Sequence, residues 1–447
     1  MIWRPEFLQD LFTNPLPILV FPPQSPPLLS SESMKCPQSI NPSRCAKRTQ
    51  VSATAHGFIV SFRRFMRRDA RARSLVLVSC LGLIVPRPAG AADTEVRLNQ
   101  IQVIGTHNSY HLRAPDSLRA LIAKRTPFTA RALDYAHLPL PEQFSRLGIR
   151  QIELDCFADP EGGLYAHPKG LKLVTDAGLP PLPNHDPEGK LLRPGFKVMH
   201  IPDIDYLSTA LTLVDGLKQV LDWSNQHPNH VPIFILLELK EGSESPELTK
   251  APVFGERELD ALEAEIRSVV PRKRILTPDD VRQGEPTLPE ALRKHGWPKL
   301  DAVRGKLFFG MDNESSVRDL YLKGHPALEE RLLFVSVPAT NPAAAWMKMN
   351  NPIADFEKIQ ELVKAGFLVR TRADADTRQS RTNDPTQRDK ALASGAQFVS
   401  TDYPEPNLAF SPYCVRLEPG IVARANPVTG DAALQGLDLE KPDPSQK

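Results

Sequence analysis

The stretch IFILLELK, at residues 233–240, decides the predicted fold. Its first five residues are all apolar, which is typical of a strand that is covered on both faces. Apolar residues at helical spacing precede it, at Leu211, Val214, Leu217 and Leu221, and follow it, at Leu259, Leu262, Ile266 and Val269. A buried strand between two amphipathic helices indicates βα units and a parallel sheet.

Short apolar runs of the same kind recur along the chain from residue 93 onward. They comprise Ile101–Gly105, Ile149–Leu154, Phe196–Met199, Ile233–Leu237, Lys306–Gly310, Leu332–Val337, Phe367–Val369 and Gln397–Ser400. Eight strands separated by helices predict an α/β fold, namely a single (β/α)8 TIM-type barrel with long βα insertions at about 156–195 and 241–305. An open doubly wound sheet is less favoured, because no glycine-rich phosphate turn follows an early strand.

The charge of the chain is unevenly distributed. The 447 residues are 41% hydrophobic and 24% charged, as in an ordinary globular protein. Residues 1–91 hold 12 Lys and Arg against 4 Asp and Glu, so the other 356 residues hold 43 against 49, a net charge of −6. An acidic body offers no positive surface to phosphate backbones, so nucleic acid is not an expected partner. No apolar run reaches the roughly 18 residues of a membrane-spanning helix.

Residues 66–91 have the parts of a secretory signal peptide in the correct order. A basic stretch follows Met66, an apolar run extends from Leu75 to Val85, and the small residues Ala89-Gly90-Ala91 form a cleavage pattern. We therefore expect a secreted or periplasmic protein. The alternative for this segment is a buried helix near the N-terminus.

The domain boundaries follow from this leader. Residues 1–65 are predicted to be disordered or a wrongly assigned gene start, since a signal peptide begins at residue 66. The barrel is predicted to span residues 92–425, and the polar residues 426–447 are predicted to form a flexible tail. Two cysteines, Cys156 and Cys414, follow the cleavage point, and the sequence leaves open whether they pair.

Acidic and amide side chains stand where the predicted strands end, which in such barrels is the catalytic end. Glu153 and Asp155 are two residues apart on one strand, so they point to the same face and repel each other unless a cation lies between them. With Glu238 and Asn108 they offer four oxygen donors and no thiolate, a set that suits Ca²⁺, or alternatively Mg²⁺, rather than zinc. The alternative is that these carboxylates form ion pairs with Arg150 or Arg370.

Two histidines, His107 and His200, follow the first and third predicted strands. An imidazole is a natural acid or base for moving protons to and from oxygen at neutral pH. A single loop histidine is usually structural, but two histidines aligned with a carboxylate cluster favour catalysis. We therefore predict that His107 and His200 are the catalytic pair.

Four motifs together resemble a known family. They are IGTHNSY at 104–110, IELD at 152–155, VMHIPDID at 198–205 and VRTRADADT at 369–377. Over about residues 97–410 the chain is similar to the calcium-dependent phosphatidylinositol-specific phospholipase C-like proteins, within the superfamily of phospholipase C-like phosphodiesterases. The resemblance implies a TIM-type barrel in which His107 and His200 match the catalytic histidines, and in which the matched calcium ligands are Asn108, Glu153, Asp155 and Glu238.

The resemblance also has limits. Simpler bacterial enzymes of the superfamily replace the metal with an arginine, which the acidic residues of this chain argue against. No C2, PH or EF-hand module is recognisable around the predicted barrel, so efficient action on polyphosphorylated inositides is not expected.

The leading hypothesis is a secreted, Ca²⁺-dependent phosphodiesterase of the phosphatidylinositol-specific phospholipase C type. It would cleave phosphoinositide or related headgroups through the histidine pair and a cyclic phosphate intermediate. Candidates for phosphate or headgroup contacts, with surface ion pairing as the alternative, are Lys240, Arg370 and Arg372. The expected partner is a phospholipid or other phosphodiester, with a transient contact to a membrane surface, and the oligomeric state is left open. The alternatives are a glycerophosphodiester phosphodiesterase and a non-catalytic barrel that binds lipid or sugar phosphates.

Overall fold

The computed structural model describes residues 95–243 and 245–441. Ten strands lie in this part of the chain: β1 Ile101–Thr106, β2 Gln151–Phe157, β3 Lys197–Val198, β4 Ile233–Lys240, β5 Leu307–Met311, β6 Leu333–Val335, β7 Trp346–Lys348, β8 Leu368–Arg372, β9 Phe398–Thr401 and β10 Ala423–Ala425. The predicted signal peptide at 66–91 and the prediction for residues 1–65 lie outside the described residues.

Helices connect most of the strands. They are α1 Asp116–Arg125, α2 Pro127–Ala132, α3 Leu140–Leu147, α4 Lys169–Asp176, α5 Leu213–Gln226, α6 Glu256–Val269, α7 Pro278–Arg282, α8 Leu288–Lys294, α9 Leu300–Val303, α10 Ser316–Leu322, α11 Phe356–Lys364, α12 Arg378–Thr382 and α13 Thr386–Ala393. Within the described ranges, no helix is both long and apolar enough to cross a membrane.

Eight of the strands form a parallel barrel. The order of neighbours is β6-β5-β4-β2-β1-β9-β8-β7, and every pair along this path is parallel. A single parallel bridge between Ser336 and Trp346 joins β6 to β7 and closes the ring. The (β/α)8 TIM-type barrel expected from the sequence is therefore confirmed, and so is its class, α/β.

Aromatic rings fill the lower part of the barrel. Phe234, Phe308 and Phe398 lie at the first or second position of their strands, and the Phe234 ring is 4.7 Å from that of Phe308 and 4.9 Å from that of Phe398 between centroids. Gly310 leaves room for this packing, because a Cβ atom there would lie 2.4 Å from the Phe234 ring. The apolar floor leaves the carboxyl ends of the strands for polar side chains.

Seven of the eight predicted runs coincide with barrel strands, and one does not. The segment predicted as the third strand, Phe196–Met199, contains only the two-residue strand β3, which pairs antiparallel with the end of β2. The missing barrel strand is β7, which the hydropathy pattern left in a loop. Its residues Trp346 and Met347 are buried within the barrel wall. A three-residue strand is too short to be distinguished from a loop by periodicity.

The segment after residue 425 differs from the flexible tail that its composition predicts. Strand β10 pairs antiparallel with β1, and residues 426–441 continue along the barrel. Glu440 accepts hydrogen bonds from Arg150, with Nη2 and Oε1 2.6 Å apart. Glu440 Oε2 also accepts from the backbone N–H of Val231 at 3.0 Å. A polar segment is held here by a buried ion pair, which a hydropathy pattern does not detect.

The two cysteines whose pairing the sequence leaves undecided do not form a disulfide. Cys156 is buried on β2, Cys414 is half-buried after β9, and both are free thiols.

Candidate active site

A cavity of about 230 Å³ opens at the carboxyl ends of the barrel strands. It is lined by eight of the nine side chains proposed from the sequence: His107, Asn108, Glu153, His200, Glu238, Lys240, Arg370 and Arg372. The ninth, Asp155, lies beside Glu153 and Glu238 in the acidic cluster described next. The barrel topology thus brings together groups that are up to 265 residues apart in the chain.

Three carboxylates and one amide form an oxygen-rich cluster at this end. Glu153 and Asp155 lie two apart on β2, Asp155 is in register with Glu238 on β4, and one oxygen of each lies within 4.8 Å of the others. Asn108 follows β1 with a left-handed φ of 45°, and its Nδ2 donates to Tyr135 Oη at 3.1 Å. Within the described chain, the buried Oδ1 atoms of Asn108 and Asp155 have no hydrogen-bond partner.

Charge in this cluster is only partly compensated. Burial raises the pKa of Glu153 to about 7, although the neighbouring Arg370 acts to lower it. Burial also raises the pKa of Asp155 well above its ordinary value, against the charge of Lys240. A divalent cation would coordinate the unpartnered oxygens and would favour the ionised form of the carboxyl groups. Buried oxygens without partners and carboxyl groups with raised pKa values are therefore typical of such a site when the charge of the cation is not counted. The residues present therefore fit a calcium ion.

Two of the three candidate substrate-binding cations are engaged by these carboxylates. Lys240 Nζ lies 3.2 Å from Asp155 Oδ2 and 2.9 Å from Glu238 Oε1. Arg370 is 1% exposed and pairs with Glu153 through Nη2 and Oε2 at 2.5 Å. It also donates to Ser400 Oγ at 3.2 Å. The ion-pair alternative from the sequence thus holds for Arg370 but not for Arg150.

His107 is fixed by Asp402, a carboxylate that was not among the site residues predicted from the sequence. Its Nδ1 lies 2.8 Å from Asp402 Oδ1, and its Nε2 lies 3.7 Å from Glu153 Oε1. Asp402 Oδ2 also accepts from Arg372 Nη2 at 2.9 Å. Burial lowers the pKa of His107 to about 3, with the Arg372 charge acting in the same direction and Asp402 opposing it. The imidazole is therefore neutral.

His200 is held in the same way by a second carboxylate. Its Nδ1 lies 2.8 Å from Oδ2 of Asp205, five residues further along. The backbone N–H of Asp205 donates to Ile201 O at 2.9 Å, which closes a tight turn between the two side chains. Burial acts to raise the pKa of Asp205, but the hydrogen bonds from His111 and His200 and the electrostatic attraction of both rings outweigh it and lower the pKa to about 2.

Sequence reasoning missed several groups around the cavity. Lys348 Nζ pairs with Asp312 Oδ2 at 2.7 Å, and Asn350 Oδ1 accepts from Arg370 Nη1 at 2.6 Å. Asp312 and Asp402 each lie two residues beyond a predicted strand, so their positions in the sequence were an available signal. Lys348 lies on the unpredicted strand β7, so no such signal existed for it.

Comparison with known proteins identifies the family of the chain. The family model described as "Phosphoinositide phospholipase C, Ca2+-dependent" matches residues 96–427. No curated protein matches the chain.

Two solved structures resemble the chain at low sequence identity. The calcium-dependent phosphoinositol-specific phospholipase C of a Pseudomonas species is 15% identical, with 75% of this chain and 96% of that chain covered and a TM-score of 0.42. The Ca²⁺-dependent phosphatidylinositol-specific phospholipase C of Streptomyces antibioticus is 16% identical, with 69% and 95% covered and a TM-score of 0.42. The family match extends over most of the chain, so the protein belongs to the calcium-dependent phosphoinositide phospholipase C family.

Proposed function

We propose that this phosphodiesterase cleaves phosphatidylinositol between diacylglycerol and phosphate, by attack of the inositol 2-hydroxyl and through a cyclic inositol phosphate. The observation that carries the proposal is the juxtaposition of a neutral histidine, His107, with the acidic cluster: its Nε2 lies 3.7 Å from Glu153 Oε1. His200 lines the same cavity. A base beside a divalent-cation site and a second imidazole nearby are the groups that a phosphodiester cleavage requires.

The proposed calcium ligands are Asn108, Glu153, Asp155 and Glu238. Their oxygens are hard donors, and two of them are buried without a hydrogen-bond partner among the described residues. A calcium ion bound here would lower the pKa of a nearby hydroxyl and offset phosphate charge. Mg²⁺ is the alternative cation, but its demand for near-ideal octahedral geometry suits it less to a site with several protein ligands.

We assign the two histidines different roles because His107 lies beside the acidic cluster, where a bound cation would activate the attacking hydroxyl. His107 carries its ring proton on Nδ1, towards Asp402, which leaves Nε2 able to accept the proton of the attacking 2-hydroxyl. His200 donates from Nδ1 to ionised Asp205, which fixes the orientation of its ring in the lining of the cavity. We therefore assign His107 as the base and His200 as the acid. As the new P–O bond forms, the bond to diacylglycerol breaks and its oxygen takes the proton of His200.

The three basic residues predicted for the site have two different proposed roles: one positions a carboxylate, and two contact the substrate. Arg370 is fully enclosed by Glu153, Asn350 and Ser400, so its role is to hold Glu153 in place. Lys240 and Arg372 keep partly exposed side chains, at 20% and 12%, and line the cavity. These two are the proposed contacts for the phosphate and headgroup.

The proposed site of action is outside the cytoplasm. The support is the signal-peptide pattern at residues 66–91. A lipid substrate requires transient contact with a membrane surface. N-terminal sequencing of the protein recovered from culture medium or periplasm tests this, since a mature chain that begins at Ala92 is expected and one that retains residues 1–65 would contradict it.

Phosphorus NMR during turnover tests the chemistry. With phosphatidylinositol and Ca²⁺, the cyclic phosphodiester should appear first, followed by slower opening to the monoester as water attacks. Excess chelator should abolish the reaction, and added Ca²⁺ should restore it. Activity confined to deacylated glycerophosphodiesters, or full activity in chelator, would overturn the proposal.

A further inference from the structure

A third histidine lies behind the active site, fully buried and outside the cavity. His111 is 0% exposed, and its Nε2 lies 2.8 Å from Asp205 Oδ2. The same oxygen lies 2.8 Å from Nδ1 of His200. One carboxylate oxygen thus accepts hydrogen bonds from two imidazoles, only one of which reaches the substrate cavity.

The pattern of partners fixes the proton positions. An ionised carboxylate can only accept, so His111 must carry a proton on Nε2 and His200 must carry one on Nδ1. Within the described residues, the buried Nδ1 of His111 has no hydrogen-bond partner. A proton there would be a buried N–H without an acceptor, which costs about 1–3 kcal/mol. His111 therefore carries its ring proton on Nε2, where it serves as a donor to Asp205.

The hydrogen bond from His111 matters because Asp205 has little else to hold it. Asp205 is 0% exposed, and its other oxygen, Oδ1, has no partner in the described part of the chain. Two donors on Oδ2 compensate the buried charge and restrict the rotation of the carboxylate. With one donor removed, the charge is less well compensated and the carboxylate loses the contact that fixes its direction.

An aromatic ring connects this network to the proposed calcium site. The ring of Tyr135 stacks on His111 with centroids 4.3 Å apart and planes inclined by 21°. Tyr135 Oη accepts from Nδ2 of Asn108, whose Oδ1 is a proposed calcium ligand. The ring of His111 is thus held between Tyr135 and Asp205, so its hydrogen bond to Asp205 has a fixed direction.

We propose that His111 is a positioning residue for catalysis: by donating to Asp205 it keeps the His200 ring in the orientation from which Nε2 gives its proton to the leaving oxygen. This inference rests on the proposed function, in which His200 is the acid. A group that orients an acid affects only the step in which that acid gives up its proton. Loss of His111 should therefore matter when the leaving group needs a proton and should matter little when it does not.

Two substrates separate these cases. Phosphatidylinositol releases an alkoxide, which needs protonation, whereas an inositol 1-phosphate ester of 4-nitrophenol releases a phenolate, which does not. His111→Phe keeps an aromatic ring against Tyr135 but removes the donor. We expect kcat on phosphatidylinositol to fall about 10- to 100-fold with KM nearly unchanged, and kcat on the nitrophenyl ester to fall less than about threefold. His111→Gln, which retains an N–H, should recover most of the loss.

A buried histidine remote from the site provides the matched control. His230 precedes β4, at the opposite end of the barrel, and its ring contacts Ser224 and Val231. His230→Gln should lower stability without any difference between the two substrates. Equal losses of kcat on both substrates in His111→Phe, or unchanged kcat on phosphatidylinositol, would overturn the role of His111.

Two further measurements make the outcome independent of folding and of the proposed function. Nitrogen-15 NMR of the histidine rings in the unaltered protein should show a proton on Nε2 of His111 and on Nδ1 of His200, and a proton on Nδ1 of His111 would refute the inference. His200→Ala tests the acid itself. If it retains normal turnover, the proposed function fails; if it is inactive on phosphatidylinositol while His111→Phe is not, only the positioning role fails.

Discussion

The pairing of Glu153 with Arg370 makes one proposed calcium ligand a structural residue as well. We expect Glu153→Gln to weaken calcium binding by about tenfold or more, because the ligand set loses one charge. We also expect it to destabilise the calcium-free protein, since the Arg370 guanidinium, 1% exposed, loses its carboxylate partner.

The magnitude follows from the burial of the pair. Removing one partner of a buried ion pair costs about 3–5 kcal/mol. The glutamine oxygen can still accept from Arg370, which recovers about 1 kcal/mol. Asn350 and Ser400 also continue to accept from the guanidinium. The raised pKa of Glu153 shows that its charge is itself unfavourable in the calcium-free fold, and removing that charge offsets part of this loss. We therefore expect the free energy of unfolding of Glu153→Gln to fall by about 1–2 kcal/mol.

Glu238→Gln is the matched control, since it removes a charge from the same cluster. The side chain of Glu238 is 31% exposed, and its partner Lys240 remains paired with Asp155. Such a partly exposed pair contributes about 0–1 kcal/mol. Glu238→Gln should thus weaken calcium binding to a similar degree and change stability by no more than about 1 kcal/mol.

Urea unfolding at pH 8 in excess chelator measures the stability, and calorimetric titration measures calcium binding. Adding Arg370→Met to Glu153→Gln removes the unpaired charge, so the double variant should be more stable than Glu153→Gln alone. Equal stabilities of Glu153→Gln and the unaltered protein in chelator would refute this reasoning. So would a loss in Glu238→Gln as large as that in Glu153→Gln.

Three other predictions concern separate parts of the molecule. His107→Ala or His200→Ala should lower turnover about 10²–10⁴-fold with little change in calcium affinity, and near-normal turnover in either would show that the pair is misassigned. Glu440→Ala should lower the free energy of unfolding by about 3 kcal/mol without changing kcat, because it leaves the buried Arg150 unpaired; a loss below about 0.5 kcal/mol in urea unfolding would contradict this. Burial lowers the pKa of His230 from 6.5 to about 4. The unfolded chain therefore binds a proton at a higher pH than the folded chain does, and the folded state loses up to about 3 kcal/mol of stability as the pH falls from 6.5 to 4. Stability curves over that range should be flatter for His230→Gln, and identical slopes would refute the assignment.

The sequence predicted the elements that depend on hydropathy. Strands such as β4 and β5 are continuous apolar runs with polar residues directly after them, so both the barrel and its catalytic end could be located. Strand β7 could not, because Trp346–Lys348 is held by its neighbours in the barrel wall rather than by a pattern of its own.

The proposed site was only partly predictable for a similar reason. His107 and Glu153 belong to recognisable motifs, whereas the pairing of His107 with Asp402 depends on the closure of β9 against β1. Hydrogen bonds between residues 295 positions apart leave no local signal. The same applies to Glu440, which a composition argument assigned to an unpacked tail but which forms a buried ion pair with Arg150.

The pairing of β10 with β1 has a consequence for the connectivity of the barrel. Because Ile101 lies opposite Ala425, the described domain begins and ends at one place, and Glu95 and Lys441 line the same cavity there. A short linker could join these ends, and new termini could be opened in the exposed turn at 338–342, where only the bridge from Ser336 to Trp346 joins the wall. Such a circular permutant would begin with β7 and finish with β6, with every other strand pair unchanged. The barrel wall can therefore be opened between β6 and β7 with the loss of a single bridge.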